Sequence, residues 1–355
     1  MNVTINPKAL ERLRGGGCIP AHPLALHEDL TIDEEMQRRL TRYYISCGVD
    51  GIAIGVHTTQ FEIRDPEYDY YEKVLEITAD EIKKVNPDTS FIKVAGICGP
   101  TPQAVKEARI AKNLGYDLGL LSMGGLSSLS EKELIERTKA VAQEIPVFGF
   151  YLQPSVGGRI FSYSFWKEFC DIDNVYAIKT APFNRYHTLE VVRAICNSRR
   201  NKEISLYTGN DDNIVLDLIT PYRIHTGDRL VEKRFVGGLL GHYAVWTKKS
   251  VELFHHIKDG LQNNTLDYDE ILKIAVEVTD MNAAIFDVVN NFKGSIAGIH
   301  EVLRRQGLLK GIWCLSPKEK LSEGQADEIG RVISQYEKWT DDNYVKEFIA
   351  NDRCH

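Results

Sequence analysis

The chain has 355 residues, 43% hydrophobic and 26% charged, the make-up of a globular protein with a sizeable core and not of a disordered one. A formal net charge of −7 leaves no basic footprint for nucleic acid or an anionic membrane. No run reaches the roughly 18 apolar residues of a membrane span, Met1-Asn2-Val3-Thr4-Ile5 lacks the apolar core of a secretory leader, and the seven cysteines (18, 47, 98, 170, 196, 314, 354) never fall as Cys-x-x-Cys, so a cytoplasmic chain with reduced thiols is expected.

Strand-length apolar runs alternate with helix-length amphipathic stretches from about residue 17 to about residue 260, the pattern of repeated βα units on a parallel sheet. Strands are expected to begin near Cys18 and Gly51, with a helix between them whose start is marked by Thr31-Ile32-Asp33-Glu34-Glu35, an N-cap followed by acids in the first turn. Further strands begin near Phe91, Leu118 and Pro146. Gly115 closes an Ala/Lys-rich helix before the Leu118 strand, and Ser130-Glu131-Lys132-Glu133 opens another helix after it. Val175-Tyr176-Ala177-Ile178-Lys179, Ile204-Ser205-Leu206-Tyr207 and Phe235-Val236-Gly237-Gly238 complete eight. That number predicts a TIM (β/α)8 barrel over residues 1–264. Beyond it the pattern is helical: Phe292, Ile296, Ile299 and Leu303 share a face and Gly307 ends the segment, so residues 265–355 read as a C-terminal helical extension packed on the barrel.

In such a barrel the reacting groups sit at the C-terminal ends of strands. Lys179 closes one. Burial there disfavours the ammonium form and lowers the pKa, leaving a neutral amine able to form a Schiff base near neutral pH. Other strand ends carry Thr58-Thr59, Tyr151 and the turn Thr208-Gly209-Asn210-Asp211. Each has a plain structural reading as β sequence, rim aromatic or turn; together they face one mouth. His57, just before the threonine pair, is a candidate contact and equally a structural histidine. Histidines 22, 27, 255 and 256 lack the strand spacing of a zinc centre, so no metal and no cofactor is expected. The pairs Gly124-Gly125 and Gly237-Gly238 read either as phosphate cradles or as tight turns.

These landmarks resemble the dihydrodipicolinate synthase and N-acetylneuraminate lyase family of Schiff-base aldolases. Thr58-Thr59 resembles the family's carboxylate-binding threonines, Tyr151-Leu152-Gln153-Pro154 its tyrosine-x-x-proline, and Ile178-Lys179 its isoleucine-lysine, twenty-eight positions after the tyrosine without a gap. Leu30-Thr31-Ile32-Asp33, Cys47-Gly48-Val49-Asp50-Gly51, Thr208-Gly209-Asn210-Asp211 and Phe292 through Leu308 continue the likeness. The resemblance implies a lyase in which Lys179 attacks pyruvate or another 2-oxo acid, Tyr151 shuttles protons, and Thr58 and Thr59 hold the carboxylate. Gly238 and Leu239 would add backbone contacts, Asn210, Asp211 and His57 hydrogen bonds to the second substrate, an aldehyde or its adduct, and the assembly would be a homodimer or homotetramer.

Departures are informative. Gln60-Phe61 stands where the family has glycine-glutamate, and Ser122-Met123-Gly124-Gly125 lacks the tyrosine that synthase members lend across an interface. Val156 occupies the place of their aldehyde-carboxylate arginine, so aspartate semialdehyde is expected to be a poor substrate. About a dozen extra residues, including Tyr222 to Gly227, precede the last strand. The alternatives are a dehydratase of a sugar-derived 2-oxo acid and a non-catalytic keto-acid-binding barrel.

Overall fold

The computed structural model describes residues 4–352. After α1 (Pro7–Gly15) the strands are β1 (Cys18–Pro20), β2 (Gly51–Ile54), β3 (Ile92–Ile97), β4 (Leu118–Leu121), β5 (Val147–Leu152), β6 (Val175–Ala181), β7 (Ser205–Thr208), the hairpin β8 (Tyr222–Thr226) and β9 (Arg229–Lys233), and β10 (Phe235–Leu240). Apart from the hairpin they form one eight-stranded sheet in the order β1-β10-β7-β6-β5-β4-β3-β2, and a parallel bridge from Ala21 to Ala53 links the ends of β1 and β2. This is the expected (β/α)8 barrel, each strand starting within one residue of the position read from the sequence. The hairpin, paired antiparallel from Tyr222↔Lys233 to Thr226↔Arg229, is what the extra residues before the last strand build.

The chain divides into two compact units. One runs to Gly17 and resumes over Asp88–Leu239; the other takes Cys18–Pro87 and continues from Leu240. The first unit carries β3 to β9 and the helices α4 (Thr101–Asn113), α5 (Glu131–Ala142), α6 (Tyr163–Cys170), α7 (Arg185–Cys196) and α8 (Ile214–Ile219). Ser130 caps α5 in a reciprocal box with Glu133, as the sequence signalled. Successive residues of β5 face opposite ways. Phe148 meets the Tyr207 ring at 5.2 Å, whereas a side chain on Gly149 would run into Phe169 of α6. Gly16 (φ +89) and Gly237 allow two backbone segments to touch: a Cβ on Gly16 would lie 1.7 Å from the Val236 carbonyl, and one on Gly237 2.3 Å from that of Gly17. Gly237-Gly238 is therefore a close-approach pair and not a phosphate cradle.

In the second unit α2 (Glu34–Cys47), capped by Asp33 and ended by Gly48 (φ 88), packs with α3 (Tyr71–Val85). The same unit holds α9 (Thr247–Asn263), α10 (Tyr268–Ile285), α11 (Ser295–Gln306), α12 (Gln325–Gln335) and α13 (Asp342–Asp352). Phe292 (φ 64) lies before α11 and not on its face, while Gly307 (φ 79) ends that helix as expected. Among the described residues no helix is long and apolar enough to cross a membrane.

Candidate active site

Lys179 lies in β6 with 8% of its surface exposed, and its Nζ stands 4.5 Å from the centre of the Phe150 ring. A Cβ on Gly209 would fall 2.5 Å from Lys179 Cε, so the backbone after β7 rests directly on the lysine stem and only glycine fits. Burial pulls the amine down to about 8, with the Asp211 charge acting in the opposite direction. Lys179 is thus an enclosed amine that reaches its nucleophilic form near neutral pH, as its sequence position implied.

Tyr151 is not brought to it. The residues twenty-eight apart are Tyr151 and Lys179, but the β5–β6 ladder slips: Val147 pairs with Val175, the next pair is Phe148↔Ala177, and Lys179 therefore pairs with Phe150 while Tyr151 pairs with Thr180. A one-residue slip sends a side chain to the other face. The Tyr151 ring packs outward, 5.0 Å from Trp166, 5.8 Å from Phe161 and 6.2 Å from His187. Its hydroxyl is buried without a hydrogen-bond partner. Burial pushes it up to about 12, and the Phe161 N–H, near enough to oppose that rise, falls short of a bond. This corrects the expectation of a proton shuttle beside the lysine.

Other expected contacts are already committed. Asn210, fully buried, accepts from the Phe183 N–H (3.0 Å) and donates to Asp217 (2.9 Å), so it builds the turn after β7. The Gly238 N–H donates to the Gly17 carbonyl at 3.0 Å, and Leu239 is buried in β10. Val156 sits half-buried in the turn Pro154–Val156. Within the second unit the Thr58 hydroxyl donates to the Ala21 carbonyl (2.8 Å) and the Thr59 hydroxyl to that of His22 (2.7 Å). Thr59 also accepts from the Gly55 and Val56 N–H groups. Both hydroxyl protons being spent, these side chains cannot donate to a carboxylate, which itself only accepts. His57 is half-buried with its ring 5.8 Å from Phe61. Of the polar residues expected in the site, Asp211 is the one whose charge reaches the amine.

Sequence reasoning missed Phe150, Gly209 and Asp217. For Phe150 the only available signal was adjacency to Tyr151, since register is set by main-chain bonds. Gly209 was visible as a turn glycine but not as a seat for the lysine.

The dihydrodipicolinate synthetase family model matches residues 15–336. The chain belongs to the dihydrodipicolinate synthetase family. Among family relatives it is 23% identical over 325 residues to N-acetylneuraminate lyase 2 of Escherichia coli O6:H1, covering 90% of this chain and 93% of that one. It is 32% identical over 119 residues to the 4-hydroxy-tetrahydrodipicolinate synthase of Pelobacter propionicus, 34% of this chain and 39% of the relative. Dihydrodipicolinate synthase from Oceanobacillus iheyensis superposes with a TM-score of 0.73 at 17% identity, over 93% of this chain and 99% of that one. N-acetylneuraminate lyase from Fusobacterium nucleatum does so with 0.69 at 20%, over 91% and 99%. The fold of this family member is that of those barrels, and its activity class is that of a lyase.

Proposed function

We propose that the chain is a Schiff-base lyase in which Lys179 takes up pyruvate or another 2-oxo acid. The observation that carries this is the enclosed Lys179 amine, two residues before the end of β6 and lowered to about 8 by burial. The neutral amine attacks the keto carbon to give a carbinolamine, which loses water to form an iminium. Loss of a proton from the neighbouring carbon, or cleavage of its bond to a second carbon, then leaves the electron pair in an enamine. Addition to an aldehyde forms the carbon–carbon bond; hydrolysis returns the lysine. With Tyr151 turned away, Asp211 is the candidate proton carrier, being the charged group that acts on the amine. A threonine hydroxyl role for Thr58 or Thr59 in carboxylate binding would require either to give up its present carbonyl partner.

Treatment with pyruvate and borohydride should leave a stable mass on Lys179, and Lys179→Ala should lose both adduct and turnover. An unmodified Lys179 with turnover retained in Lys179→Ala would end this reading. Val156 offers an apolar wall in place of a bidentate carboxylate partner. Condensation with aspartate semialdehyde should accordingly stay below a kcat/KM of about 10⁴ M⁻¹s⁻¹, the lower end of ordinary efficiency, while neutral-tailed 4-hydroxy-2-oxo acids and sugar-derived 2-oxo acids react better. The assembly expected for such a lyase is a homodimer or homotetramer, which light scattering decides.

A further inference from the structure

Asp217, on α8, is fully buried, yet it is the most densely bonded carboxylate near the end of β7. One oxygen accepts from the Thr208 hydroxyl (2.6 Å) and the Asn210 amide (2.9 Å). The other accepts from Arg185, from the Asn213 amide (3.2 Å) and, at 3.5 Å, from the Tyr222 hydroxyl. Its donors come from five places in the chain: the last residue of β7, the turn after it, the start of α8, the first residue of α7 and the first residue of the β8–β9 hairpin. These donors fill the lone pairs of the buried carboxylate, and the Arg185 guanidinium pairs with it.

Two of the groups it holds flank the residue that touches the lysine. Thr208 and Asn210 bracket Gly209, whose backbone rests on the Lys179 stem and whose N–H donates to the Thr180 carbonyl at 2.9 Å. Asn210 ties the same turn to Phe183, just past β6. Asp211 follows at once. The charged and titratable groups acting here are Asp211 on Lys179, and Arg185, Asp212 and Tyr222 around Asp217.

We propose that Asp217 is a positioning residue for the Lys179 site: through Thr208 and Asn210 it holds the Gly209-Asn210-Asp211 turn against the lysine stem and so fixes the Asp211 charge at the amine. Arg185 and the hairpin residue Tyr222 act through Asp217, which gives the inserted hairpin a part in tuning the nucleophile. This rests on the reading of Lys179 as the reacting amine.

The test is competitive labelling of Lys179 with acetic anhydride across pH, read by mass mapping on the full chain and run beside pyruvate–borohydride trapping. Asp217→Ala should move the labelling midpoint of Lys179 down by about half a pH unit or more, because a negative charge that favours the ammonium is no longer held there. Asp211→Asn should do the same, the double variant should move no further, and Asp217→Asn should recover part of the shift. Should Asp217→Ala not fold, Arg185→Gln and Tyr222→Phe each remove one anchor and should shift the midpoint in the same direction. A midpoint unchanged in every folded Asp217, Arg185 or Tyr222 variant while Asp211→Asn shifts it, or fully additive shifts in the double variant, would overturn the proposal. Labelling needs no substrate, so failure of pyruvate trapping alone would count against the imine chemistry and not against the positioning role.

Discussion

Gln60 stands at φ +70 with ψ 126, a region where residues with a Cβ are strained, and it is buried. Its side-chain oxygen accepts from the Leu315 N–H at 2.6 Å while its amide nitrogen finds no partner. Gln60→Gly relieves the backbone and loses one bond; Gln60→Ala keeps the strain and loses the same bond. The glycine variant should therefore be more stable than the alanine variant by about 1 kcal/mol in thermal melts, and equal stability would mean that the strain is not real. Tyr151 poses the complementary case. A buried hydroxyl with no partner costs on the order of 1–3 kcal/mol, so Tyr151→Phe should melt at or above the wild-type temperature and keep kcat within a few-fold. A loss of about 10²-fold would restore it as the proton carrier. At this scale the sequence showed which polar residues stand at the strand ends and not what their atoms do, because Asn210, Thr58 and Thr59 direct hydrogen bonds to the backbone and to Asp217, partners that mostly lie far away in the sequence.

The eight parallel strands were legible as elements because strands buried on both faces are written as short continuous apolar runs. The hairpin was not: Tyr222 to Thr226 alternates only between half-buried and exposed, with no residue driven fully inside to mark a strand. Nor was the slip between β5 and β6, which leaves spacing in the sequence untouched and changes only which residues pair. Helix ends were readable where a side chain within the first turn does the capping, as at Ser130. They were not where the cap comes from afar. Glu319 accepts from the N–H groups of Ile296 and Ala297 at the start of α11, at 2.8 and 3.1 Å, and burial nevertheless raises it to about 7. Because the folded value lies above the ordinary 4.5 of a glutamate, the fold binds the proton more tightly than the unfolded chain. The contribution is intact below about pH 4.5 and is lost as pH rises through 7. Glu319→Gln should accordingly gain stability relative to wild type between pH 5 and pH 8; a difference in melting temperature that stays flat across that range would contradict the assignment.

For the whole molecule, the helices that read as an extension belong to the second unit, where polar side chains tie them to α2 and α9. Asp341 accepts from the Tyr43 hydroxyl (2.6 Å) and the Lys248 N–H (3.0 Å). Asp352 pairs with Arg39 at 3.0 Å and with Arg42, which also reaches Glu81 at 2.8 Å. Ending the chain at residue 264 would strip partners from Tyr43 and Arg39, both buried on α2, at a cost of about 1–3 kcal/mol each. The truncated chain should lose its cooperative melt or fail to remain soluble, and a sharp, near-wild-type transition from residues 1–264 would show that the extension is dispensable.

The same lowering that suits Lys179 to the proposed imine chemistry also exposes it to damage. An amine titrating at about 8 is close to one-tenth free base at pH 7, roughly 300-fold more than a lysine at its ordinary 10.5. That fraction reacts as readily with cyanate, reducing sugars or stray metabolite aldehydes as with any intended partner, since a nucleophile does not choose its carbonyl. With 8% of its surface exposed, between the Phe150 ring and the Gly209 backbone, the amine admits only what can reach it, so enclosure serves as the protection that reactivity requires.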